Sequence, residues 1–438
     1  MIMKQLSRAI ILGTVLFVAL ALSAYAGPGR DGNASGKKTI SFWKVISPPA
    51  YDDNIKANIT RFEKDNPDFA VEQTYLQNED YKAKIVIALG SNTAPDIFTT
   101  WTGGGMIEYV KSNLIIPLTK YMNTPYQSLP AYKDYFMEGG INQATYQNDV
   151  WATPGLNASV LFVWYSKKIY DRLGLKIPAT LAELEANCDK IRAAGIVPFG
   201  LANKAKYHAS FYYMLLVDRY GGPQVFQNAA NRMNGGTFND PAFTWASRKM
   251  QEWARKGYFP EGYNSLDGEA DVHRRMFYNQ EAAMLIEGSW TVANLMSDGQ
   301  NINDYGLFPF PVVEGGRGTI NGMVGTIGDS FYCINSGAKY PDESFKLIQY
   351  LVDEAAIKGF VSGGGTPPTK NASAGDPLSE DVLKYLKAST STQLWYDQYL
   401  PSAMAEVHKD SLQSMVGLTI TPEQYNQAME EAAQRYLK

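Results

Sequence analysis

The sequence predicts an α/β fold, with mostly parallel sheet and helices on both sheet faces. Three observations carry this. Strand and helix signals alternate as βαβαβ from Lys38 onward, the rhythm of doubly wound sheets. A second α/β region opens after Trp151-Ala152-Thr153-Pro154. The chain has 438 residues, 45% hydrophobic and 19% charged, enough for two or three domains with real cores.

The elements follow in order. Lys38-Thr39-Ile40-Ser41-Phe42-Trp43 is β-branched and aromatic, so it reads as a strand. Ile55, Ile59 and Phe62 share one helix face, and Pro67 stops that helix. Val71 to Leu76 is a second strand. Asn78 is expected to cap a helix with Tyr81, Ile85, Val86 and Leu89 on one face, closed by Gly90. Pro95-Asp96-Ile97-Phe98 is a short third strand, ending at Thr99 to Thr102 and the run Gly103-Gly104-Gly105. Thr180 with Glu183 forms a capping box for a helix to Ala194, whose apolar face is Leu181, Leu184, Cys188 and Ile191. Further helices are expected over 242–256, 271–279, 342–358 and 422–437, the last capped by Thr421 with Pro422 at its first position.

Residues 1–26 read as a secretory signal peptide. Lys4 and Arg8 precede an apolar run from Ala9 to Ala24, and Ala24-Tyr25-Ala26 is an A-x-A cleavage pattern. The run is shorter than the roughly 20 residues of a membrane span. Residues 27–37 read as a polar linker. Tyr25 stands where a lipoprotein signal needs cysteine, so no lipid anchor on an N-terminal cysteine is expected. The product is expected to be exported to the periplasm or cell envelope.

Composition narrows the function classes. A net charge of −4 speaks against broad binding to nucleic-acid phosphates. Three histidines (His208, His273 and His408) are widely spaced, and with two cysteines they argue against a multi-ligand metal site, so no metal or cofactor is expected. No nucleophile elbow, HExxH, Walker A or early GxGxxG motif is present. Gly103–Gly105 and Gly363–Gly365 lack the Lys-Ser/Thr of a phosphate loop and read as flexible turns. Aromatic residues reach 13%, a content that suits clefts for ligands with apolar faces.

The most informative segment is Phe277-Tyr278-Asn279-Gln280-Glu281-Ala282-Ala283-Met284 through Glu287-Gly288-Ser289-Trp290. It resembles the F-x-x-G-x-A-A-M…G-x-W signature of bacterial extracellular solute-binding proteins of the sugar-transporter type, relatives of maltose-binding protein. Asn279 and Gln280 replace the usual glycine. Pro95-Asp96-Ile97, Trp151-Ala152-Thr153-Pro154, Val163 to Lys168, Gly174-Leu175 with Pro178 to Leu184, and Leu394 to Pro401 fall in the family's order.

The resemblance implies a two-lobed, periplasmic-binding-protein-like (type II) fold with a hinge and an interlobe ligand cleft. Lobe one would be 38–152 plus 325–375, and lobe two 153–324 plus 376–438. Cys188 and Cys333 would then lie in different lobes as free thiols. The implied function is capture of a mono- or oligosaccharide for the permease subunits of an ABC importer, by a monomer that is not an enzyme. A polyamine- or ferric-ion-binding protein and a secreted carbohydrate-active enzyme are the rival readings.

Trp290 is expected to be the main stacking platform, because the family's G-x-W tryptophan sits in the cleft. Trp43, Trp101 and Trp151, each at a strand end, come next, with Trp395 intermediate. Asn157, His208 and Phe211 match cleft positions of the family. Glu79, Asp329 and Asp397 are the weaker candidates for binding hydroxyl groups. Trp164, Trp245 and Trp253 are expected to pack.

Overall fold

A computed structural model describes residues 36–437; the expected signal peptide and most of the linker lie outside the described residues. The first sheet is built from β1 (Lys38–Val45), β2 (Phe69–Leu76), β3 (Ile97–Thr100) and a returning strand, Phe331–Ile334. Helices α1 (Pro49–Asp65) and α2 (Asn78–Gly90) connect the first three strands, which are all parallel. The returning strand pairs antiparallel with β3 and ends the order returning strand–β3–β1–β2. Alternation in β1 buries Ile40, Phe42 and Lys44 on one face, and Ile55, Ile59 and Phe62 of α1 pack into the same core.

The second sheet is centred on β4 (Asn157–Ser166), ten residues of which all but two are buried. Its neighbours are β5 (Val197–Phe199), β6 (Ala282–Gly288), β7 (Tyr305–Phe308), β8 (Gly322–Asp329) and a short strand, Ser391–Gln393. Strands β6, β7 and β8 all run antiparallel to β4, so this sheet is mixed rather than mostly parallel. Helices α3 (Leu181–Ala193), α4 (Tyr207–Gly221) and α5 (Pro241–Arg255) cover one face. The capping box of Thr180 and Glu183 is present, as is that of Thr421 and Gln424 on the last helix, α6 (Pro422–Tyr436).

Among the described residues the first lobe has one hydrophobic core and the second lobe two, one on each face of its sheet; Cys333 is buried in the first lobe's core and Cys188 in the larger of the second lobe's, both as free thiols. Trp164 and Trp253 are fully buried in the second lobe, and Trp245 stacks on Tyr220 with ring centroids 4.2 Å apart.

Several expectations are corrected. The helix expected over 342–358 is two helices, Pro341–Val352 and Glu354–Ser362. Asp353 between them has an extended backbone, caps the second helix through Ala356 N, and takes a two-pronged bond from Arg61 at 2.7 and 2.8 Å. That ion pair outweighs the helical pattern on either side. Asn78 is the first residue of α2 rather than its cap and bonds to Glu79. Val86 is exposed; the buried set is Tyr81, Ile85, Ala88 and Leu89, because five residues from Tyr81 is past the helix face. The third strand begins two residues later than Pro95, since Asp96 instead accepts from Ser41 N and Oγ. Residues 325–329 pair with β4, so they belong to the second sheet rather than to lobe one. The run Gly103–Gly105 is no flexible turn: Gly104 begins helix Gly104–Lys111, and a Cβ there would overlap the carbonyl oxygen of Leu400 in the opposite lobe.

Two stability predictions follow from this packing. Trp253 stacks on Phe199 at 5.5 Å and donates Nε1 to Glu185 at 2.7 Å. Trp253→Ala is expected to cost about 3–5 kcal/mol in denaturant unfolding. His408 is buried between Ser210 (Nε2···Oγ 2.7 Å) and Tyr425 (Nδ1···Oη 2.8 Å), with Tyr213 and Tyr396 against its ring. Burial lowers its pKa to about 4, despite the opposing charge of Asp397; Lys409 lowers it further. The unfolded chain therefore takes up a proton below about pH 6.5 that the folded chain refuses until about pH 4. Stability is full above that window and falls through it by on the order of 3 kcal/mol. Urea midpoints between about pH 7 and about pH 5 should drop, and His408→Gln should flatten the slope.

Candidate functional site

The site lies where the chain passes between the two lobes. Residues 153–157 and 328–332 cross side by side. Thr153 and Tyr332 exchange both backbone hydrogen bonds (3.0 and 2.9 Å), and Gly155 N donates to Gly328 O at 3.2 Å. This ribbon forms one edge of a cavity of about 420 Å3, within the range of small-molecule sites, about 300–1,000 Å3. The chain crosses a third time between the helix ending at Ser362 and the helix Pro377–Ala388.

Strand ends and helix starts deliver the lining. Trp101 follows β3, and its ring meets Tyr81 edge-on at 6.1 Å. Trp290 follows β6 after Gly288-Ser289 and packs against a core of each lobe, half-buried. Its indole folds back over Gly288, where any Cβ would overlap Cε3, Cζ3 and Cη2. Phe211 of α4 and Trp395 stand beside it, at 6.2 and 6.1 Å. Aromatic surface thus comes from both lobes.

The polar side of the cavity is built from chains of hydrogen bonds. Asn157 Nδ2 donates to Ser159 Oγ at 2.6 Å, and Ser159 donates to Asp329 at 2.8 Å. Burial raises the Asp329 carboxyl above its ordinary pKa, against the donors Ser159 and Ser330 N. Asn157 Oδ1 and Gln398 Oε1 are buried with no protein partner. Across the rim, Lys82 of α2 bonds Asp397 at 3.1 Å, and Lys409 bonds Glu79 at 2.8 Å, so two ion pairs join the lobes. Burial would raise Asp397, but Lys82 and Lys409 outweigh it and hold the carboxyl below its ordinary value.

His208, His273 and Glu287 form a buried cluster in the cavity wall. His273 Nε2 lies 2.9 Å from Glu287 Oε2, and the two imidazole rings meet edge-on at 4.7 Å. Burial, then His273, lowers His208 to about 3. His208 and His273, widely spaced in the sequence, thus meet beside a carboxylate. No spacing in the sequence pointed to the cluster, because its members come from three elements.

Of the expected site residues, Trp290, Trp101, Trp395, Asn157, His208, Phe211, Asp329 and Asp397 line the cavity. Trp43, Trp151 and Glu79 do not. Trp43 lies two residues short of the end of β1, where Lys44 takes the cavity side. Trp151 packs on the first core and donates Nε1 to Tyr146 O at 3.0 Å. Glu79 is held in the rim ion pairs. Lys44, Tyr207, Glu269, His273, Arg274 and Glu287 were missed. Tyr207 was legible as His208's neighbour at the helix start; the charged residues carried no local signal.

Two α/β lobes joined by paired crossing segments, with an aromatic-walled cavity between them, define a binding protein of the two-lobed, hinged class. The chain belongs to the bacterial extracellular solute-binding protein family, whose profile matches residues 47–358. It is similar to an uncharacterized ABC transporter extracellular-binding protein of Pyrococcus horikoshii, at 24% identity over 97% of this chain and 96% of that one. A multiple sugar-binding protein of Streptococcus mutans is 23% identical over 83% of each chain. A structure solved in work on xylan utilization by Caldanaerobius polysaccharolyticus superposes with TM-score 0.83 at 26% identity, covering 90% of this chain and 99% of that one. A chitin oligosaccharide binding protein shares the fold at TM-score 0.80 and 18% identity, covering 92% and 99%. Membership of an extracellular family implies export, and no helix among the described residues is long and apolar enough to cross a membrane.

The rim charges generate a prediction. Lys82→Met would leave Glu79, Asp397 and Glu406 facing Lys409 alone. The variant is expected to open, with a larger radius of gyration by small-angle scattering than the parent in low salt. In about 1 M salt, where charges are screened within about 3 Å, the difference should narrow.

Proposed function

We propose that this chain is the substrate-binding component of an ABC importer and captures a neutral mono- or oligosaccharide between its lobes. The observation that carries this reading is the pairing of aromatic faces from both lobes (Trp101, Trp290, Trp395 and Phe211) with buried acceptors that have no protein partner, Asn157 Oδ1 and Gln398 Oε1. A sugar ring offers an apolar C–H face for the rings and hydroxyl donors for the acceptors. An unpaired buried polar group costs about 1–3 kcal/mol, so a ligand hydroxyl that satisfies one is strongly selected.

Charge favours a neutral ligand. Each cation at the cavity already has a carboxylate: Lys44 with Asp52, Lys82 with Asp397, and Arg274 with Asp271. A phosphate ester would find no uncommitted cation among them, although sn-glycerol-3-phosphate-binding relatives match two thirds of this chain. A polyamine would need several free acids, whereas Asp271, Asp329, Asp397, Glu287 and Glu269 all accept bonds from protein groups. Ligand bonded to both lobes stabilises the closed form, the state a permease reads.

A thermal-shift screen with neutral saccharides, sugar phosphates and spermidine tests the reading. Neutral saccharides should raise the melting temperature; a response to spermidine or a phosphate ester alone would overturn it. For the saccharide so found, Trp290→Ala should weaken binding by about 2–4 kcal/mol, roughly 30- to 1000-fold, with the fold retained. Near-normal affinity with a large loss of stability would instead make Trp290 a packing residue.

A further inference from the structure

The cluster in the cavity wall goes beyond saccharide capture. His208 comes from the start of α4, His273 from the helix Val272–Tyr278, and Glu287 from β6. All three are at least nine-tenths buried. One ring nitrogen of each histidine and one carboxylate oxygen of Glu287 lie within 4.8 Å of one another. His208 Nδ1 is buried with no hydrogen-bond partner. Buried polar atoms are almost always satisfied, so this orphan calls for one.

We propose that His208, His273 and Glu287 bind one divalent transition-metal ion of the zinc class in the wall of the cleft. Two imidazoles and one carboxylate are the donors zinc takes in sites that keep a position open, at about 2.0–2.2 Å each. Tetrahedral ligands at that length stand about 3.3 Å apart, and the His273 Nε2–Glu287 Oε2 separation is 2.9 Å. The remaining coordination position faces the cavity that all three residues line, where water or a ligand hydroxyl completes the shell. Calcium and magnesium are disfavoured, because they take oxygen donors.

The surroundings hold the donors in place. Tyr207 stacks on the His208 ring at 4.1 Å. Gly268 closes over its other side: a Cβ there would overlap Cε1 and sit 2.8 Å from Nδ1. Arg274, the nearby cation, is committed to Asp271 at 2.7 Å.

The test uses the protein after treatment with a chelator. Zinc titrated by calorimetry should bind with one ion per chain, and cobalt should give the visible absorption of a four-coordinate site that zinc abolishes. Calcium should give no heat. His208→Ala and Glu287→Gln should each weaken zinc binding by more than about 100-fold, with thermal melts checking that each folds. Absence of saturable zinc uptake by the parent, or parent-like affinity in folded Glu287→Gln, overturns the proposal. Saccharide binding measured with and without chelator keeps the two readings apart. Sugar uptake without zinc uptake overturns the metal site alone; zinc uptake without any sugar response overturns the saccharide reading alone.

Discussion

The structure depends on one constraint: the chain must pass between two lobes, each with its own hydrophobic packing, without burying unpaired backbone. A buried N–H or C=O lacking a partner costs about as much as a lost hydrogen bond. The solution is to let the first two crossings pair with each other. Thr153 and Tyr332 exchange hydrogen bonds, and the ladder continues from Asn157 opposite Asp329 into β4 and β8. This pairing fixes where the cavity edge lies. It also explains why the second sheet is mixed, since β8 must run antiparallel to β4 in order to return to the first lobe.

Everything at the cavity inherits that arrangement. Asn157, Ser159 and Asp329 form a hydrogen-bonded chain because their strands are neighbours. Trp290 reaches a core of each lobe because β6 lies on the other side of β4 and ends at the same level. Across the cavity, Gly104 approaches Leu400 so closely that only glycine fits, and the Lys82–Asp397 and Lys409–Glu79 pairs bridge the rim. These pairs are largely buried, Lys409 almost wholly so, and the cost of stripping water from the charges offsets much of their attraction. Their consequence is for the balance between open and closed lobes, where a small difference shifts a population.

The rigid and the adjustable parts are separated accordingly. Buried networks such as Ser210–His408–Tyr425 and Arg219 with Asp218, Phe310 O and Gly322 O lie inside the second lobe. Each leaves little freedom to its elements. At the cavity, Asn157 Oδ1 and Gln398 Oε1 are buried with no protein partner.

What the sequence determined alone is the local part. Periodicity marked α1, and the capping boxes at Thr180 and Thr421 marked two helix starts, because these signals need only neighbours a few residues away. The segment from Phe277 to Trp290 set out a helix, a buried strand and a cavity tryptophan in their observed order. Aromatic residues at strand ends were half informative: Trp101 and Trp290 line the cavity, while Trp43 and Trp151 pack on the first core. Only the tertiary structure decided between them: β1 runs on to Val45, so Trp43 stops two residues short of the cavity, whereas Trp101 and Trp290 lie beyond the last residues of their strands. It alone decided the break at Asp353, which answers to Arg61 nearly three hundred residues away. And it alone brought His208, His273 and Glu287 together. Charged and ligating side chains act through distance in space, and three separate elements had to converge before that distance existed.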